Sequence, residues 1–504
     1  MKNEGDLLSI KRIYYRGKLN SCNYTCSYCP FGKKSHLTAT TQDEQAWNRF
    51  ITAIEQWQGG PLQLFIIPYG EALIHRYYRK GIIHLAALPQ VAGISCQTNL
   101  SFSADEWLDE FSATPTLISK IKIWASFHPE MTSVESFVRR LHTLYNAGIQ
   151  VCAGAVGNPM AKSVLSDLRN ALLPDIYLFI NAMQGLKSPL SVEDIRFFTQ
   201  LDNLFEYDLK NASAQWDICS GGRSSCFIDW KGDIFACPRS QVKIGNFYQN
   251  QMLAPLLPCR RKVCDCYIAF SNLTNHPLHR IMGAGAFWRI PDKPFITSVF
   301  FDVDGTLTDA QGRVSESYAH ALRYIAQFVP LYLATSLSMQ QARRKLGKAL
   351  FSLFEGGVFA DGGLLVYGGQ SRCMPVELLL DINEESAKIT AHSYEGQVYK
   401  YSMLVYDKEE RINILSRLKE KPYQVFYKPP LITVIHKDVD KRKGVLHICK
   451  ALAFPLDQVL IVGNSLMSVV SHSCAVMNAE PLLKERARYT LNPDRLAAFF
   501  RFRE

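Results

Sequence analysis

Three cysteines near the start of the chain have the spacing of metal ligands. Cys22, Cys26 and Cys29 follow one another as C-x3-C-x2-C within CNYTCSYCPFGKK, and Tyr28 stands just before the last of them. Three thiolates can each hold one iron of a [4Fe–4S] cube, which normally takes four cysteines, so that one iron keeps an open coordination site. A zinc site and three unrelated buried thiols are the alternatives that the spacing leaves open.

Composition and cysteine distribution define the setting of this loop. The chain has 504 residues, 47% of them hydrophobic and 20% charged, which is typical of a soluble globular protein with two or more domains. No stretch has the character of a signal peptide or a membrane span, so we expect a cytoplasmic protein. Eleven of the 14 cysteines lie at or before Cys266, and in a reducing compartment such clustering indicates metal binding rather than disulfides.

The charge pattern bears on the partners of the protein. The formal net charge of +10 is spread along the chain without a dense basic block. That distribution favours anionic small molecules over nucleic acid, and we expect neither nucleic acid nor a membrane as a partner.

The elements that must position the cysteine loop form a βα rhythm. Short runs rich in β-branched residues alternate with helical stretches, which predicts parallel strands joined by helices. One helix has a capping box at Thr132 and Glu135 and ends at Gly148. We expect an α/β fold that starts with a partial (β/α)6 TIM-type barrel over residues 1–205, with its chemistry at the carboxyl ends of the strands. The six strands are predicted near 9–16, 62–67, 91–97, 119–126, 149–155 and 176–182.

The cysteine loop follows the first of these strands and resembles the radical S-adenosylmethionine (SAM) superfamily. The signature of that superfamily, C-x3-C-x-aromatic-C, is met by Cys22, Cys26, Tyr28 and Cys29. The resemblance implies that SAM chelates the open iron and is cleaved by one electron to a 5′-deoxyadenosyl radical, which abstracts hydrogen from a substrate. It also implies an electron donor such as flavodoxin or ferredoxin.

The loop after the second strand resembles another motif of the same superfamily. Gly70 and Glu71 in PYGEAL resemble the GGE motif, which holds the methionine amino group of SAM. Tyr69 replaces the first glycine of that motif. The resemblance implies that Tyr28, Gly70 and Glu71 contribute to the SAM pocket.

Polar residues after the third and fourth strands are further candidates for this pocket. Thr98 and Asn99 follow the third strand, and a plain turn is the alternative reading of this pair. Ser126 and His128 share one face of the fourth strand by its period of two. Ser126 is a candidate SAM contact, whereas His128 is either a contact or a structural histidine.

A second group of cysteines lies within residues 206–290. Cys219, the run IDWKGDIFAC that ends at Cys237, and Gly245-Asn246 resemble the start of SPASM/twitch extensions of radical SAM enzymes, which bind auxiliary [4Fe–4S] clusters. A hairpin turn at 230–232 would bring the first two cysteines together. The cysteines that follow suit one cluster, the twitch form, and a zinc ribbon is the alternative. The candidate ligands are Cys219, Cys237, Cys259, Cys264 and Cys266, and Cys226 is left out of the set.

A different pattern, in which carboxylates follow an apolar strand, begins near residue 293. In FDVDGTLTD, Asp302 and Asp304 follow an apolar run and resemble the first motif of the haloacid dehalogenase (HAD) superfamily of phosphatases. The resemblance implies that Asp302 is the nucleophile that takes the phosphoryl group, with Asp304 as the general acid and base. It also implies that Thr335 in LYLATS holds the phosphate and that Lys443 in DKRKG neutralises it.

The metal motif of the HAD pattern departs from the family. LIVGNSLMS carries Asn464 and Ser468 where the family usually carries the aspartates of GD-x3-D, which bind Mg²⁺. The resemblance leaves Asp302, Asp304 and Asn464 as the Mg²⁺ ligands, and the loss of two anionic ligands predicts slow phosphatase activity at best. FADGGLLVYGG resembles the C2-capped branch, so we expect a Rossmann-like HAD domain over 293–504 with a small α+β cap at about 370–435.

The whole sequence predicts a bifunctional-looking enzyme. A radical SAM domain with one auxiliary cluster would oxidise a small metabolite, such as a phosphorylated sugar, cyclitol or nucleotide, and the HAD domain would dephosphorylate or hold it. Two alternatives stay open. One is a maturase of a ribosomal peptide, although no leader-binding module precedes Cys22. The other is a redox-sensing scaffold, against which the intact Gly70-Glu71 pair argues.

Overall fold

The structure is a computed structural model. It describes residues 7–29, 38–112, 114–183, 189–209, 212–213, 218–252, 259, 261–378, 387–419, 421–464 and 471–502. The chain divides into two compact units, Met1–Asp292 and Lys293–Glu504. Across the described ranges, no helix is both long and apolar enough to cross a membrane.

The first unit contains the six predicted strands, which pair in parallel in chain order. Their central residues are buried, as expected for strands that helices cover on one face and other side chains cover on the other. All six run in the same direction, so the loops that follow them meet at one edge of the sheet. The strands are β1 (Arg12–Arg16), β2 (Leu62–Ile66), β3 (Val91–Thr98), β4 (Ile121–Phe127), β5 (Gln150–Gly157) and β6 (Leu178–Ala182).

The sheet of the first unit is larger than the predicted six strands. Among the described residues it has ten, in the order β11-β10-β9-β8-β1-β2-β3-β4-β5-β6. The first strand has a free edge in the predicted arrangement, and β8 pairs with that edge in parallel. The prediction of six strands in this sheet was therefore wrong, and the partial barrel stays a prediction. The added strands are β7 (Ala212–Ser213), β8 (Ser225–Asp229), β9 (Asp233–Phe235), β10 (Lys243–Asn246), β11 (Gln251–Met252) and β12 (Val263–Cys264), of which β7 and β12 pair separately.

Helices connect the parallel strands as the sequence predicts. The helix after β4 begins one residue later than expected, because the Ser133 side chain, not that of Thr132, accepts the Ser136 N–H as the N-cap. Gly148, with a φ of 96°, follows the end of this helix. The helices of the unit are α1 (Thr38–Glu55), α2 (Arg76–Ala87), α3 (Ala104–Asp109), α4 (Val134–Asn146), α5 (Lys162–Ala171), α6 (Val192–Leu201), α7 (Phe205–Leu209), α8 (Tyr267–Phe270) and α9 (Pro277–Met282).

Aromatic side chains fill the face of the sheet opposite the helices α1–α5. Tyr14 of β1 lies 4.6 Å from Phe287 and Trp124 of β4 lies 4.8 Å from Phe179 of β6, measured between ring centroids. The guanidinium of Arg289 lies 4.3 Å from the centroid of the Phe179 ring. The C-terminal segment of the unit thus closes this face, and the polar positions remain at the carboxyl ends of the strands.

The second unit has a mostly parallel sheet and a small capping sheet. The described strands of the larger sheet have the order β17-β16-β15-β14-β13-β22-β23-β24, with β13 and β22 adjacent at its centre. Its strands are β13 (Ser298–Phe301), β14 (Leu331–Ala334), β15 (Phe354–Phe359), β16 (Leu364–Tyr367), β17 (Gln370–Cys373), β22 (Val459–Gly463), β23 (His472–Ala475) and β24 (Tyr489–Thr490). The cap sheet, in the order β18-β19-β21-β20, contains β18 (Lys388–Tyr394), β19 (Gln397–Leu404), β20 (Tyr423–Lys428) and β21 (Leu431–His436).

Six helices accompany these sheets in the described part of the second unit. Helix α11 begins with a capping box in which the side chains and backbone of Ser338 and Gln341 bond reciprocally, and it is interrupted at Gly347, which has a φ of 75°. Asp440 is the N-cap of α13, where its side chain accepts the N–H groups of Arg442 and Lys443. The helices are α10 (Glu316–Ile325), α11 (Met339–Phe351), α12 (Lys408–Lys419), α13 (Lys441–Ala451), α14 (Pro481–Arg486) and α15 (Leu496–Phe499).

Candidate functional site

The cysteine loop after β1 is held against the loop after β2. The Glu71 N–H donates a hydrogen bond of 3.1 Å to the Ser21 carbonyl, directly before Cys22. A Cβ atom at Gly70 would lie 1.7 Å from the same carbonyl oxygen. Only glycine permits this approach, so Gly70 allows the two loops to touch.

Glu71 ties the loop after β2 to the loop after β3. The residue is 2% exposed, and its carboxylate accepts hydrogen bonds from Leu73 N at 2.9 Å, Thr98 Oγ1 at 2.7 Å and Asn99 N at 2.5 Å. Burial raises the pKa of Glu71 to about 7, against the effect of these three donors. The predicted candidates Glu71, Thr98 and Asn99 thus contact one another, and these contacts join the loops after β2 and β3.

Asn99 links this buried carboxylate to the first cysteine. Its Nδ2 lies 3.6 Å from Cys22 Sγ and donates to Asn23 Oδ1 at 3.2 Å. The Tyr24 N–H also points at Cys22 Sγ, at 3.4 Å. Burial raises the pKa of Cys22, and these two N–H groups act in the opposite direction because they stabilise the thiolate.

The loop after β4 holds the cysteine loop from the other side. Both oxygens of the Glu130 carboxylate accept hydrogen bonds from Ser27, one from its N–H and one from its hydroxyl, each at 2.6 Å. The Tyr28 hydroxyl lies 3.1 Å from Nδ1 of His128, and the two rings are nearly parallel. Burial lowers the pKa of His128 to about 4, so the ring is neutral at pH 7. Ser126 precedes this loop on β4.

The three cysteines of the loop lie within electrostatic reach of one another. Cys26 is 3% exposed, and burial together with the charges of Cys29 and Cys22 raises the pKa of Cys26 to about 11. Within the described ranges, no three His, Cys, Asp or Glu side chains converge as ligands of a single metal ion. A cube makes a different demand, because each thiolate binds its own iron.

The second cysteine group comes together from distant parts of the extension. Burial and then the charges of Cys219, Cys237, Cys259 and Cys266 raise the pKa of Cys264 to about 12. A hairpin between β8 and β9 supports this assembly, and its turn residue Gly232 has a φ of 84°. All five predicted ligands are free thiols. Cys226 lies in β8 and is buried.

Carboxylates of the second unit gather at the carboxyl end of β13. Asp302 is 8% exposed and its Oδ2 lies 3.6 Å from Lys441 Nζ, which also lies 3.6 Å from Asp361 Oδ1. Burial raises the pKa of Asp302, while the charge of Lys441 acts to lower it. Asp304 forms an ion pair with Lys345 of α11.

The predicted phosphate and metal residues take separate places around these carboxylates. Thr335 follows β14, and its hydroxyl accepts the Leu337 N–H at 3.1 Å. Lys443 is exposed and two residues beyond Lys441, which is the lysine that reaches Asp302. The Nδ2 group of Asn464 donates a hydrogen bond of 2.8 Å to the Asp304 carbonyl. Ser468 lies outside the described residues.

Sequence reasoning missed Lys441 and Asp361 at this site. Asp361 sits in a turn where it and Ala360 have φ values of 54° and 48°, a backbone conformation that is costly for residues other than glycine. Its N–H donates to the Thr335 carbonyl. The strained turn therefore brings a third carboxylate against the predicted phosphate loop.

Comparison with known proteins identifies the second unit. Residues 374–495 match the family of haloacid dehalogenase-like hydrolases, so the C-terminal part of the chain carries a hydrolase domain of this superfamily. A haloacid dehalogenase-like hydrolase from Bacteroides thetaiotaomicron is 16% identical, with 40% of this chain and 95% of that chain covered and a TM-score of 0.33. No curated protein matches the chain.

Two further solved structures are similar at the same level. A protein from Geobacillus kaustophilus is 19% identical, with 40% of this chain and 96% of that chain covered and a TM-score of 0.33. The HAD subclass IIB sugar phosphatase BT4131 is 16% identical, with 39% of this chain and 94% of that chain covered and a TM-score of 0.30. At these TM-scores the similarities assign no activity.

Proposed function

We propose that the first unit is a radical SAM enzyme and that the HAD domain binds the phosphate of the same small metabolite. The observation that supports the first part is that three loops, those after β2, β3 and β4, contact the cysteine loop after β1. Ser21 contacts Glu71, Asn99 contacts Cys22, and Glu130 contacts Ser27. Loops at the carboxyl ends of neighbouring parallel strands are where α/β enzymes place their chemistry.

The donor chemistry of this loop fits an iron–sulfur cluster. Cys22, Cys26 and Cys29 are free thiols on one short stretch, and they would be the ligands. Each thiolate would bind a separate iron of the cube. When bound, the cluster and SAM would supply a 5′-deoxyadenosyl radical for hydrogen abstraction.

The residues around the loop act on its shape and charge. The Asn99 Nδ2 group donates toward Cys22 Sγ, and this hydrogen bond stabilises the thiolate form of Cys22. Glu130 fixes the backbone at Ser27, between the second and third cysteines. His128, which is neutral, holds the Tyr28 hydroxyl without adding a positive charge next to the cysteines.

The second cysteine group supports an auxiliary cluster and hence oxidation of the substrate. A hydroxyalkyl radical formed by hydrogen loss becomes a ketone only if it gives up one more electron and its hydroxyl proton. An auxiliary cluster would accept the electron, and the proton would pass to a base or to solvent. Four of Cys219, Cys237, Cys259, Cys264 and Cys266 would be its ligands. A flavodoxin or ferredoxin would be the external electron donor.

The C-terminal site supports phosphate binding better than fast hydrolysis. The residues that would hold Mg²⁺ are Asp302, Asp304 and Asn464, of which only two are carboxylates, whereas a hard divalent cation binds best to anionic oxygen. Lys441 lies beside the proposed nucleophile Asp302 and would attract a phosphate to it. Asp304 would move the proton of the leaving group.

Iron content tests the proposal without requiring a substrate. Anaerobically reconstituted protein should bind about eight irons, four for each of two clusters, and the triple variant Cys22/Cys26/Cys29→Ala about four. With dithionite the wild type should release 5′-deoxyadenosine and methionine from SAM. Binding of only four irons by the wild type would remove the auxiliary cluster, and methyl transfer without deoxyadenosine would remove hydrogen abstraction.

Phosphate release tests the C-terminal part separately. The wild type should hydrolyse a panel of sugar phosphates slowly. Asn464→Asp combined with Ser468→Asp should tighten Mg²⁺ binding in calorimetry, since each carboxylate adds a charge that a hard cation prefers. Rapid wild-type turnover at low Mg²⁺ would contradict a degenerate metal site.

A further inference from the structure

A buried lysine of the cap reaches the site of the second unit. Lys400 belongs to β19 and is 5% exposed. Its Nζ donates to the Ser336 carbonyl at 2.9 Å and to Gln341 Oε1 at 3.1 Å. An ammonium group carries three N–H donors, so two acceptors leave one of them available to a further partner.

The charge of Lys400 is not balanced by a direct ion pair. Within the described residues, no Asp or Glu oxygen lies within 4.0 Å of its Nζ. The charges of Asp361 and Asp304 favour its protonated form, but burial outweighs them and lowers the pKa of Lys400 to about 8. A buried ammonium that lacks a carboxylate partner is costly for the folded protein, and an anionic ligand would offset that cost.

The neighbours of Lys400 place it next to the predicted phosphate loop. Ser336 follows Thr335, and Gln341 belongs to the capping box at the start of α11. Tyr399, the preceding residue of β19, accepts the Met339 N–H at 3.1 Å and donates to Gln340 Oε1 at 2.9 Å. The cap strand is thus fixed to the N-terminal end of α11, next to the loop that carries Thr335.

We propose that Lys400 contacts the substrate in the C-terminal site and binds a phosphate group with its remaining N–H. The proposal rests on the phosphate-binding function proposed above. Lys441 would approach the same phosphate from α13, so core and cap would each provide one cation. A ligand without a phosphate would leave the Lys400 ammonium buried and unbalanced.

Binding of inorganic phosphate to the full-length protein tests this role without turnover. Isothermal calorimetry at pH 7 would compare the wild type with Lys400→Gln, Lys400→Arg and Lys388→Gln, the last at an exposed position of the same cap. We expect Lys400→Gln to weaken phosphate binding at least tenfold, and Lys400→Arg and Lys388→Gln to change it less than threefold. Acetate, as a carboxylate probe, should bind more weakly than phosphate.

The pH profile separates a ligand contact from a structural link between cap and core. The wild-type affinity for phosphate should fall up to tenfold from pH 8 to 9, because Lys400 loses its proton there, and the fall should be absent in Lys400→Arg. The charges that act on Lys400 are those of Asp361 and Asp304, and the ring of His392 lies near it. Burial lowers the pKa of His392 to about 4, so it stays neutral over this range.

Each failure has a distinct meaning. Absence of phosphate binding by the wild type would overturn the proposed phosphate site and the role of Lys400 with it. Normal wild-type binding with unaffected binding by Lys400→Gln would overturn the role of Lys400 alone. An equal loss in Lys388→Gln would show an effect of net charge, and acetate binding as tight as phosphate would refute the assignment to phosphate.

Discussion

Gly70 lies where any side chain would clash with the backbone, and a single substitution can test this. Its missing side chain lets the Ser21 carbonyl approach, since a Cβ would lie 1.7 Å from that oxygen. Gly70→Ala should therefore lower the free energy of unfolding by about 1–3 kcal/mol and reduce iron retention by the loop. Gly60→Ala is the control, because no atom lies within 4 Å of the added Cβ, and it should change stability by less than about 0.5 kcal/mol. Chemical denaturation would measure both, and equal effects would contradict the contact.

Glu71 should make stability depend on pH in an unusual direction for a carboxylate. Burial raises its folded pKa from 4.5 to about 7, so between these values the folded protein keeps a proton that the unfolded chain releases. Its contribution to the free energy of unfolding should fall by about 3 kcal/mol as the pH rises from 4.5 to 7, at about 1.4 kcal/mol for each unit.

The variant Glu71→Gln isolates this contribution. It does not titrate, and it loses the acceptor of the Asn99 N–H at all pH values. The difference in free energy of unfolding between wild type and variant, measured by denaturant titration of the metal-free protein, should therefore shrink from pH 4.5 to 7. A constant difference would contradict a buried carboxyl with a raised pKa.

The residues of the C-terminal site were predictable by type but not by position. The sequence DKRKG offers Lys441 and Lys443, which are two residues apart and so point to nearly opposite sides of a helix. Asp440 is the signal that decides between them, because as N-cap it makes Lys441 the first helical residue. Asp361 gave no local signal, since its place depends on a strained turn and on pairing with Lys441.

The start of α13 should control the position of Lys441. Asp440→Ala removes the acceptor of two helix N–H groups and should cost about 1 kcal/mol of stability. It should also weaken phosphate binding, because the first turn that carries Lys441 would fray. Asp440→Asn keeps the cap and should preserve both properties.

A second cap provides the control for this prediction. Ser315 caps α10 through the Tyr318 N–H, and Ser315→Ala should cost a similar amount of stability without changing phosphate affinity. Denaturation and calorimetry on the same samples would separate the two effects. A loss of phosphate affinity in Ser315→Ala as large as in Asp440→Ala would show that general destabilisation is responsible.

Strands were predicted well from local sequence, whereas the size of the sheet was not. The run LQLFI of β2 predicts a strand by its composition alone, and four of its five residues are buried. The pairing of β8 with β1 joins residues more than two hundred positions apart, and no local pattern encodes such a contact.

The whole molecule combines two units that each have a hydrophobic core of their own. The core of the first includes Ile13, Leu64 and Ile123 from its parallel strands, and the second has separate core and cap clusters around Val445 and Met403. A unit with its own core can unfold as a cooperative entity. A ligand or a substitution in one unit should therefore shift the unfolding transition of that unit and leave the transition of the other unit unchanged.

Differential scanning calorimetry should thus resolve two transitions in the metal-free protein. Inorganic phosphate at ten times its Kd stabilises the unit that binds it by about 1.4 kcal/mol, which for a unit of this size raises its Tm by about 3–6 °C. Gly70→Ala should lower the Tm of the other transition and leave the phosphate-dependent one in place. A single transition that responds to both changes would show that the two units unfold together and that the loop around Cys22 draws its stability from the entire chain.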